Sequence, residues 1–450
     1  MQEIKTDLVV VGGGVAGSVA ALAAANLGVD VILVEKNGFL GGTATAALVG
    51  PPQTFHAGEE QIISGLPQKI IDKLVKLGAS PGHVYDMIGF VSTITPVDSE
   101  MFKIVLEEIL LAAGVKLMYH STLIDVEKDN DLISSTIVRS KLKEYRIKGK
   151  VFIDSTGDSE LITLAGAPYQ VGRASDQKTQ PMSTMFKVGG IDFATIREAI
   201  KKNPDDFLLS RPRQGMDPWE FPYCSVNGFF SVIEKAKANG DFNIPRDRVL
   251  FFQQPTPGVA TVNMTRVIEK SPLDGEDLSR AELEARRQVV KILNFMQKYL
   301  PGFENSYLLS IGSTIGVRES KRLIGEYTLT GEDLVRGRRF DTAISRGSYP
   351  IDIHSPDGSE MDIISMEEGT WYHIPRETTF TSQVPNLLAA GRNISTTHEA
   401  HASTRIQPSA MAIGQGVGTN AALAIKNKQY PAEVKIKALQ DQLVKDGAII

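Results

Sequence analysis

The feature that most constrains this chain is a glycine-spaced βαβ unit at its beginning. Residues 7–11 (DLVVV) are β-branched and uninterrupted, which predicts a strand buried on both faces. Gly12, Gly14 and Gly17 follow in the pattern G-x-G-x-x-G, and an alanine-rich helix runs to about Leu27. Gly28 ends it, as a C-terminal glycine should. Residues 29–34 (VDVILV) predict a second strand, closed by Glu35, 18 residues after Gly17. Gly12 permits the tight turn, Gly14 admits a pyrophosphate close to the backbone, and Gly17 lets the helix settle on the strand. Ala16 lies in the first helical turn, whose free N–H groups and partial positive charge face the phosphates. Glu35 would accept hydrogen bonds from a ribose, and its charge would repel a 2′-phosphate. With strand, glycines, helix, strand and acid in register, the segment predicts dinucleotide binding. NAD and FAD both satisfy these elements.

Length and composition bound the rest. A chain of 450 residues predicts two or three lobes. Its single cysteine, Cys224, excludes an internal disulfide, a redox dithiol and a cysteine-ligated cluster. Any redox chemistry therefore needs an organic cofactor, and the lone thiol is expected to be a plain buried one. The 48 basic and 53 acidic residues give net −5 with no basic run, which argues against a primary nucleic-acid binder. No run of about 18 apolar residues is present, so no membrane span is expected. The chain begins Met-Gln-Glu-Ile-Lys and enters a strand at once, so a cytoplasmic setting is expected.

Three later segments narrow the dinucleotide. After Glu35 comes Lys36, then a loop crowded with small residues, Gly41, Gly42, Thr43 and Ala44. Such a loop brings backbone N–H groups beside a phosphate or a ring edge. Residues 98–113 predict an amphipathic helix on Phe102, Val105, Leu106, Ile109 and Leu110. Strands at about 115–119, 122–128, 133–139 and 143–148 follow, and the chain returns through residues 151–154 to Thr156, Gly157 and Asp158. A meander inserted this way is not a plain dehydrogenase pattern. Near the C-terminus, residues 387–390 read as a short buried strand, and Gly391 lets the chain pass close to a ligand before Arg392. A Gly/Ala-rich helix then begins at about Ser409, with Ala410 and Met411 in its first turn, so a neighbour must pack tightly on its face.

The segments GGGVAG, EKNGFLGGTATAALVG, VFIDSTGDSELITLAGAP, IGVRESKRLIGEYTLT and NLLAAGRNISTTHEAHASTRIQPSAMAIGQGVGTNAALA carry a family resemblance. The chain resembles the glutathione-reductase-type FAD fold from residue 4 to about 425. Within it, the chain is similar to a family of FAD-dependent oxidoreductases related distantly to the fumarate reductase flavoproteins. The resemblance implies an α/β chain: a Rossmann-like FAD-binding domain with an inserted β-meander, plus an α+β substrate domain. Its parts would be residues 1–171 and 376–430 for FAD, 172–375 for substrate, and a helical tail over 431–450. The helix after Ser409 would aim its positive end at the reduced flavin ring. Many flavoproteins of this fold place an acid after the glycine equivalent to Gly391. Arg392 stands there instead, and is expected to meet the pyrophosphate or an anionic substrate.

Within the substrate lobe, residues 280–299 predict a helix opened by a Ser279–Glu282 capping box. A tail helix over about 435–445 sets Ile436, Leu439 and Leu443 on one face, for the body of the protein or a second subunit. Two clusters are candidates for chemistry. Arg318 and Arg322 are four apart, would share a face on a helix, and suit a carboxylate or phosphate. His373, His398 and His401, with Arg405, crowd the approach to the flavin-binding helix and are candidates for proton transfer beside a flavin. The H-x-x-H pair lacks a zinc site's other ligands, so no metal is expected. His56, His83, His120 and His354 are assigned structural roles.

These elements predict an enzyme moving hydride between flavin N5 and a small organic substrate, by dehydrogenation of an alcohol or amine or by reduction of an activated alkene, with the arginines a weak pointer to an anion. The alternatives are an electron-transfer flavoprotein working with a partner chain and an RNA-modifying flavoprotein, the latter disfavoured by net −5. A disulfide reductase is excluded by the single cysteine.

Overall fold

The computed structural model describes residues 1–358 and 361–450. Its centre is a five-stranded parallel sheet in the order Leu387–Ala389, Val151–Asp154, Leu8–Val11, Val31–Val34 and Lys116–Met118. The first four of these strands are wholly buried, as their unbroken apolar sequences require. The chain reaches the outer position beside Val151–Asp154 only at residue 387, so the sheet is closed by a segment distant in sequence.

Of the four expected meander strands three form it, as antiparallel strands Ser121–Asp129, Leu132–Ser140 and Lys143–Lys148, whereas the first, Lys116–Met118, pairs in parallel with Val31–Val34 and belongs to the core sheet. One feature was missed. The opening residues Gln2–Lys5 do not continue into the first core strand; they pair in parallel with Lys143–Lys148 as a separate edge strand of the meander sheet. Asn386 joins meander to core: its side-chain amide donates to the Ile133 carbonyl at 2.8 Å and its oxygen accepts from the Ile133 N–H at 3.0 Å.

The glycine-motif helix is Val15–Asn26, and the return helix is Gln407–Asn427. The two lie backbone against backbone. A Cβ at Gly414 would sit 2.3 Å from the Ala16 carbonyl oxygen, and one at Gly418 2.1 Å from that of Ala20. The pairs 414/16 and 418/20 advance together, so the helices run parallel, and at their shared end the return helix starts about six residues, or ~9 Å, ahead of the other. This explains the Gly/Ala composition of the return helix, which starts two residues before the expected Ser409.

A second core belongs to an antiparallel sheet ordered Ser225–Gly228, Val249–Gln253, Ala260–Val262, Phe186–Gly189 and Tyr307–Ile311. The helix Gly275–Tyr299 covers it with Val289, Ile292, Phe295 and Met296. That helix begins a turn earlier than the sequence suggests. Asp274 is its cap, accepting from the Asp277 N–H at 2.9 Å. Ser279 instead donates to the Gly275 carbonyl, and Glu282 accepts from the Ile315 N–H at 2.6 Å and pairs with Arg286. Of the segment 172–375, residues 186–303 build this second core, whereas Leu323, Ile344, Ile351 and Ile374 pack into the first. Leu439 and Leu443 of the tail helix Ile436–Lys445 are buried in the first core too. No helix among the described residues is long and apolar enough to cross a membrane.

Candidate active site

Where the two parallel helices begin, the protein has a long cleft. Gly12, Gly14, Ala16, Glu35, Lys36, Gly41, Gly42 and Thr43 line one end, and Thr156, Gly157, Asp158, Gly391, Arg392 and Ala410 continue it. Gly12 adopts φ +101°, and a Cβ there would strike the Ser155 carbonyl at 2.5 Å. A Cβ at Gly17 would lie 2.0 Å from the Gly12 carbonyl. Gly14 is different: its nearest neighbour would be 3.9 Å away, so its side faces the open groove. The helix that Gly14 starts has no side-chain cap, and neither has the return helix at Ile406. Two sets of first-turn N–H groups are thus left free at one cleft. Glu35 sits on the wall, its carboxylate accepting from the Gly13 N–H at 2.7 Å and from Asn37 at 2.8 Å. Asp154, buried beneath, shapes the Thr156–Asp158 turn by accepting from the N–H groups of Thr156 and Ile162. Burial pushes its carboxyl above the ordinary value, against those hydrogen bonds.

A second cavity, of about 210 Å³, abuts this cleft. The two share Thr43, Val317, Arg392, Arg405 and Gln407. Apolar walls come from Ile88, Phe90, Met185 and Phe252, and the polar side carries Arg246, Arg248, Arg318, Asp352 and His354. Arg246 is 5% exposed and donates to the Asn263 and Met264 carbonyls, 3.1 and 3.2 Å away. Burial, then Arg266, pushes its guanidinium down to about 10. Arg318 donates to the Pro181 carbonyl at 2.5 Å; burial, then Arg405 and Arg246, pushes it down to about 9. Neither arginine has a carboxylate in ion-pair contact among the described residues. A desolvated guanidinium short of an anion is costly, and a bound carboxylate or phosphate would relieve it. Arg405 approaches Asp352 at 3.7 Å, and Arg248 is spent on Asp247 at 2.8 Å.

The family model described as "FAD dependent oxidoreductase" matches residues 7–443. The chain belongs to the FAD-dependent oxidoreductase family. No curated protein matches it. Among solved structures, a geranylgeranyl bacteriochlorophyll reductase-like protein from Thermoplasma acidophilum is similar at 13% identity and TM-score 0.49, over 99% of this chain and 85% of the other. The flavin-dependent brominase Bmp2 is similar at 13% identity and TM-score 0.48, over 97% and 83%. The p-nitrophenol 4-monooxygenase PnpA from Pseudomonas putida DLL-E4 is similar at 13% identity and TM-score 0.47, over 99% and 85%.

The cofactor of this FAD-dependent oxidoreductase is FAD, and the cleft fits it. Backbone closes over Gly12 and Gly17 yet leaves Gly14 open, two uncapped helix N-termini border it, and among the described residues the Gln407 side-chain oxygen on the wall has no partner. Sequence reasoning missed Ser121, Thr122 and Leu123, by which the meander walls the cleft, and Glu282, which reaches it from the second core. Four expected contacts stand back from the wall. Gly17 and Ala44 pack beneath it, and Ser409 and Met411 are buried within the return helix, the Ser409 hydroxyl without a partner among the described residues. Arg392 is held by the Gly157 carbonyl at 2.7 Å, by Asp158 at 2.8 Å and by the Val317 carbonyl, so it ties three cleft segments together.

Arg318 and Arg405 line the cavity, whereas His373, His398 and His401 line neither the cavity nor the cleft. Residues 317–320 are irregular and Lys321–Leu323 is a strand, so Arg318 and Arg322 share no helical face. Arg322 is buried away from the cavity, paired with Glu319 and donating to the Thr396 and Gly172 carbonyls. His398 extends this pair, with Nδ1 2.9 Å from Glu319. His401 is buried, and among the described residues neither ring nitrogen has a partner; burial, then Arg322, Arg405 and Arg392, holds it well below the usual histidine value. His373 accepts from the Phe340 N–H at 3.0 Å, and burial with Arg339 and Arg346 pushes it down to about 4. His354, assigned a structural role from sequence, is the histidine on the cavity wall. Burial pushes the Cys224 thiol up to about 12, which leaves it inert.

Proposed function

We propose that this flavoenzyme moves hydride between flavin N5 and a small organic anion held in the arginine-lined cavity. The observation that carries the reading is the position of Arg318: deep beside the cofactor cleft, donating to the Pro181 backbone carbonyl and with no carboxylate in ion-pair contact among the described residues. Bound FAD supplies the hydride acceptor or donor. Residues 1–171 and 376–430 would hold it, with the Gly14 and Gln407 helix ends facing its phosphates and ring edge, and Glu35 facing its ribose. Residues 172–375 would supply most of the substrate cavity. Arg318 and Arg405 would grip and orient the anion at the junction, and Arg246 would set the potential of the far wall. The apolar walls at Ile88, Phe90 and Phe252 would exclude water and strengthen those contacts. The test is anaerobic mixing of the holoenzyme with hydroxy acids, amino acids, polyols and sugars, following the flavin absorption, and reoxidation of the reduced protein with enoates. Bleaching or reoxidation confined to anionic compounds supports the reading; reaction only with neutral ones defeats it.

A further inference from the structure

We propose that the substrate carries a second acid group at its end remote from the cofactor cleft, gripped by Arg246 together with the amides of Asn227 and Asn263. The proposal rests on the cavity reading above and narrows the substrate from an anion to a small dianion, with a carboxylate or a phosphate as its far group.

The far wall is one face of the antiparallel sheet. Asn227 stands opposite Leu250 across the strands Ser225–Gly228 and Val249–Gln253. On the other side of Leu250, Asn263 follows the strand Ala260–Val262, and its N–H donates to the Leu250 carbonyl at 2.9 Å. Directly opposed residues of neighbouring strands point to the same face, so these three side chains form a row. All three line the cavity. Arg246 is fastened beside the row by its bonds to the Asn263 and Met264 carbonyls. Asn227, Arg246, Leu250 and Asn263 stay clear of the cofactor cleft, whereas Arg405 lines both spaces and Arg318 follows Val317, which also lines both. The cavity therefore carries cations at two ends, built by different parts of the chain.

Donors are left over at each end. Arg246 bonds through Nε and Nη2; Nη1 enters neither bond, and unlike Arg405 Nε it is not sealed beneath the wall. Arg318 bonds through Nη1, which leaves Nε and Nη2. Asn227 is 8% exposed, and among the described residues the side-chain oxygens of Asn227 and Asn263 have no partner. A buried amide short of partners is costly, and turning it presents its NH2 group to an anion. The cavity's own carboxylate is engaged elsewhere: Asp352 lies 3.2 Å from His354 and 3.7 Å from Arg405.

One acid group would satisfy one end only. Arg246 is among the charges that push Arg318 down, after burial and Arg405, so the two guanidiniums burden each other across the cavity. An acid group at each end would answer both, and the apolar walls at Ile88, Phe90 and Met185 would take the carbon frame between them. A neutral tail would leave the Arg246 charge desolvated and unanswered.

The test is calorimetric titration of the FAD-loaded protein with malonate, succinate and glutarate, each against its half-amide, which keeps the length and one charge. Phosphonopropionate and butyrate extend the comparison to a phosphorus acid and to an apolar tail. The best-fitting dianion should bind about 10- to 100-fold tighter than its half-amide. Tighter binding of phosphonopropionate than of succinate would name the far group as a phosphate, and the reverse order as a carboxylate. Arg246→Gln should bring the dianion down to the level of its half-amide while leaving butyrate binding unchanged. Arg246→Lys, which keeps the charge, should restore part of the preference. Asn227→Leu, which spares the arginine, should weaken the dianion and not butyrate. Equal binding of dianions and half-amides, or equal losses of succinate and butyrate in an Arg246→Gln protein that retains FAD, overturns the proposal. If no acid binds, or every acid binds unchanged to Arg318→Gln, the cavity reading itself fails, which separates the two.

Discussion

The cofactor cleft and the substrate cavity share a wall but are made of different material. The cleft is made of backbone: tight turns, uncapped helix ends, and glycines whose missing Cβ atoms let carbonyls and amides close in. The cavity is made of side chains, apolar walls on one side and a cluster of arginines on the other, delivered by an irregular loop, a hairpin strand, a helix end and the second core. Backbone geometry demands particular residues at particular spacings. Side-chain convergence demands only that distant positions meet. The first should therefore fail all at once when one glycine is changed, and the second should fail by degrees and only toward substrate.

The sharpest break comes from Gly17→Val. With a Cβ 2.0 Å from the Gly12 carbonyl and 2.6 Å from the Ser155 hydroxyl, the helix must leave the strand, and purified protein should carry essentially no FAD. Full FAD occupancy would show that the cleft is not held by backbone packing. Arg318→Gln should do the opposite, keeping FAD and losing a charge-assisted contact worth about 1.5–3 kcal/mol, read as roughly ten- to hundred-fold weaker oxalate binding. Loss of FAD from that variant would erase the distinction between the two regions.

Gly414→Ala probes what the regions share. Its Cβ would meet the Ala16 carbonyl at 2.3 Å, and forcing the two parallel helices apart should cost about 1–3 kcal/mol, seen as a lower melting temperature. An unchanged melting point would mean the helix pair yields freely. The smallest effect concerns His401. Its folded value is depressed below the unfolded one near ~6.5, so its contribution to stability is full above that pH and is lost as pH falls. His401→Met should flatten the fall of melting temperature between about pH 7 and 5; an unaltered slope would mean that His401 does not resist charging.

The same contrast explains what could be read in the sequence. Gly12, Gly14, Gly17 and Glu35 were legible because a tight βα turn under a pyrophosphate admits few alternatives. The parallel sheet, meander and return helix followed from period and composition. The cavity did not. His398 and His401 attracted attention by crowding beside the return helix, yet Glu319 and Arg322 draw the first inward, and the second is sealed in the core. His354 had no local motif, and it shares the cavity wall with Arg318 and Arg405, 36 and 51 residues away along the chain. One signal was present: Asp352 and His354 at alternate positions of a strand share a face. Glu282 was misread for the reverse reason, since a plausible capping box hid its longer-range bond to Ile315.

The central claim is that an arginine-lined cavity beside the flavin selects an anion. Its most direct test is the rate of anaerobic flavin bleaching by lactate against that by lactamide, which keeps the hydroxyl and carbon frame but not the charge. The cavity predicts rapid bleaching by lactate and little by lactamide. Equal rates with the two would contradict it.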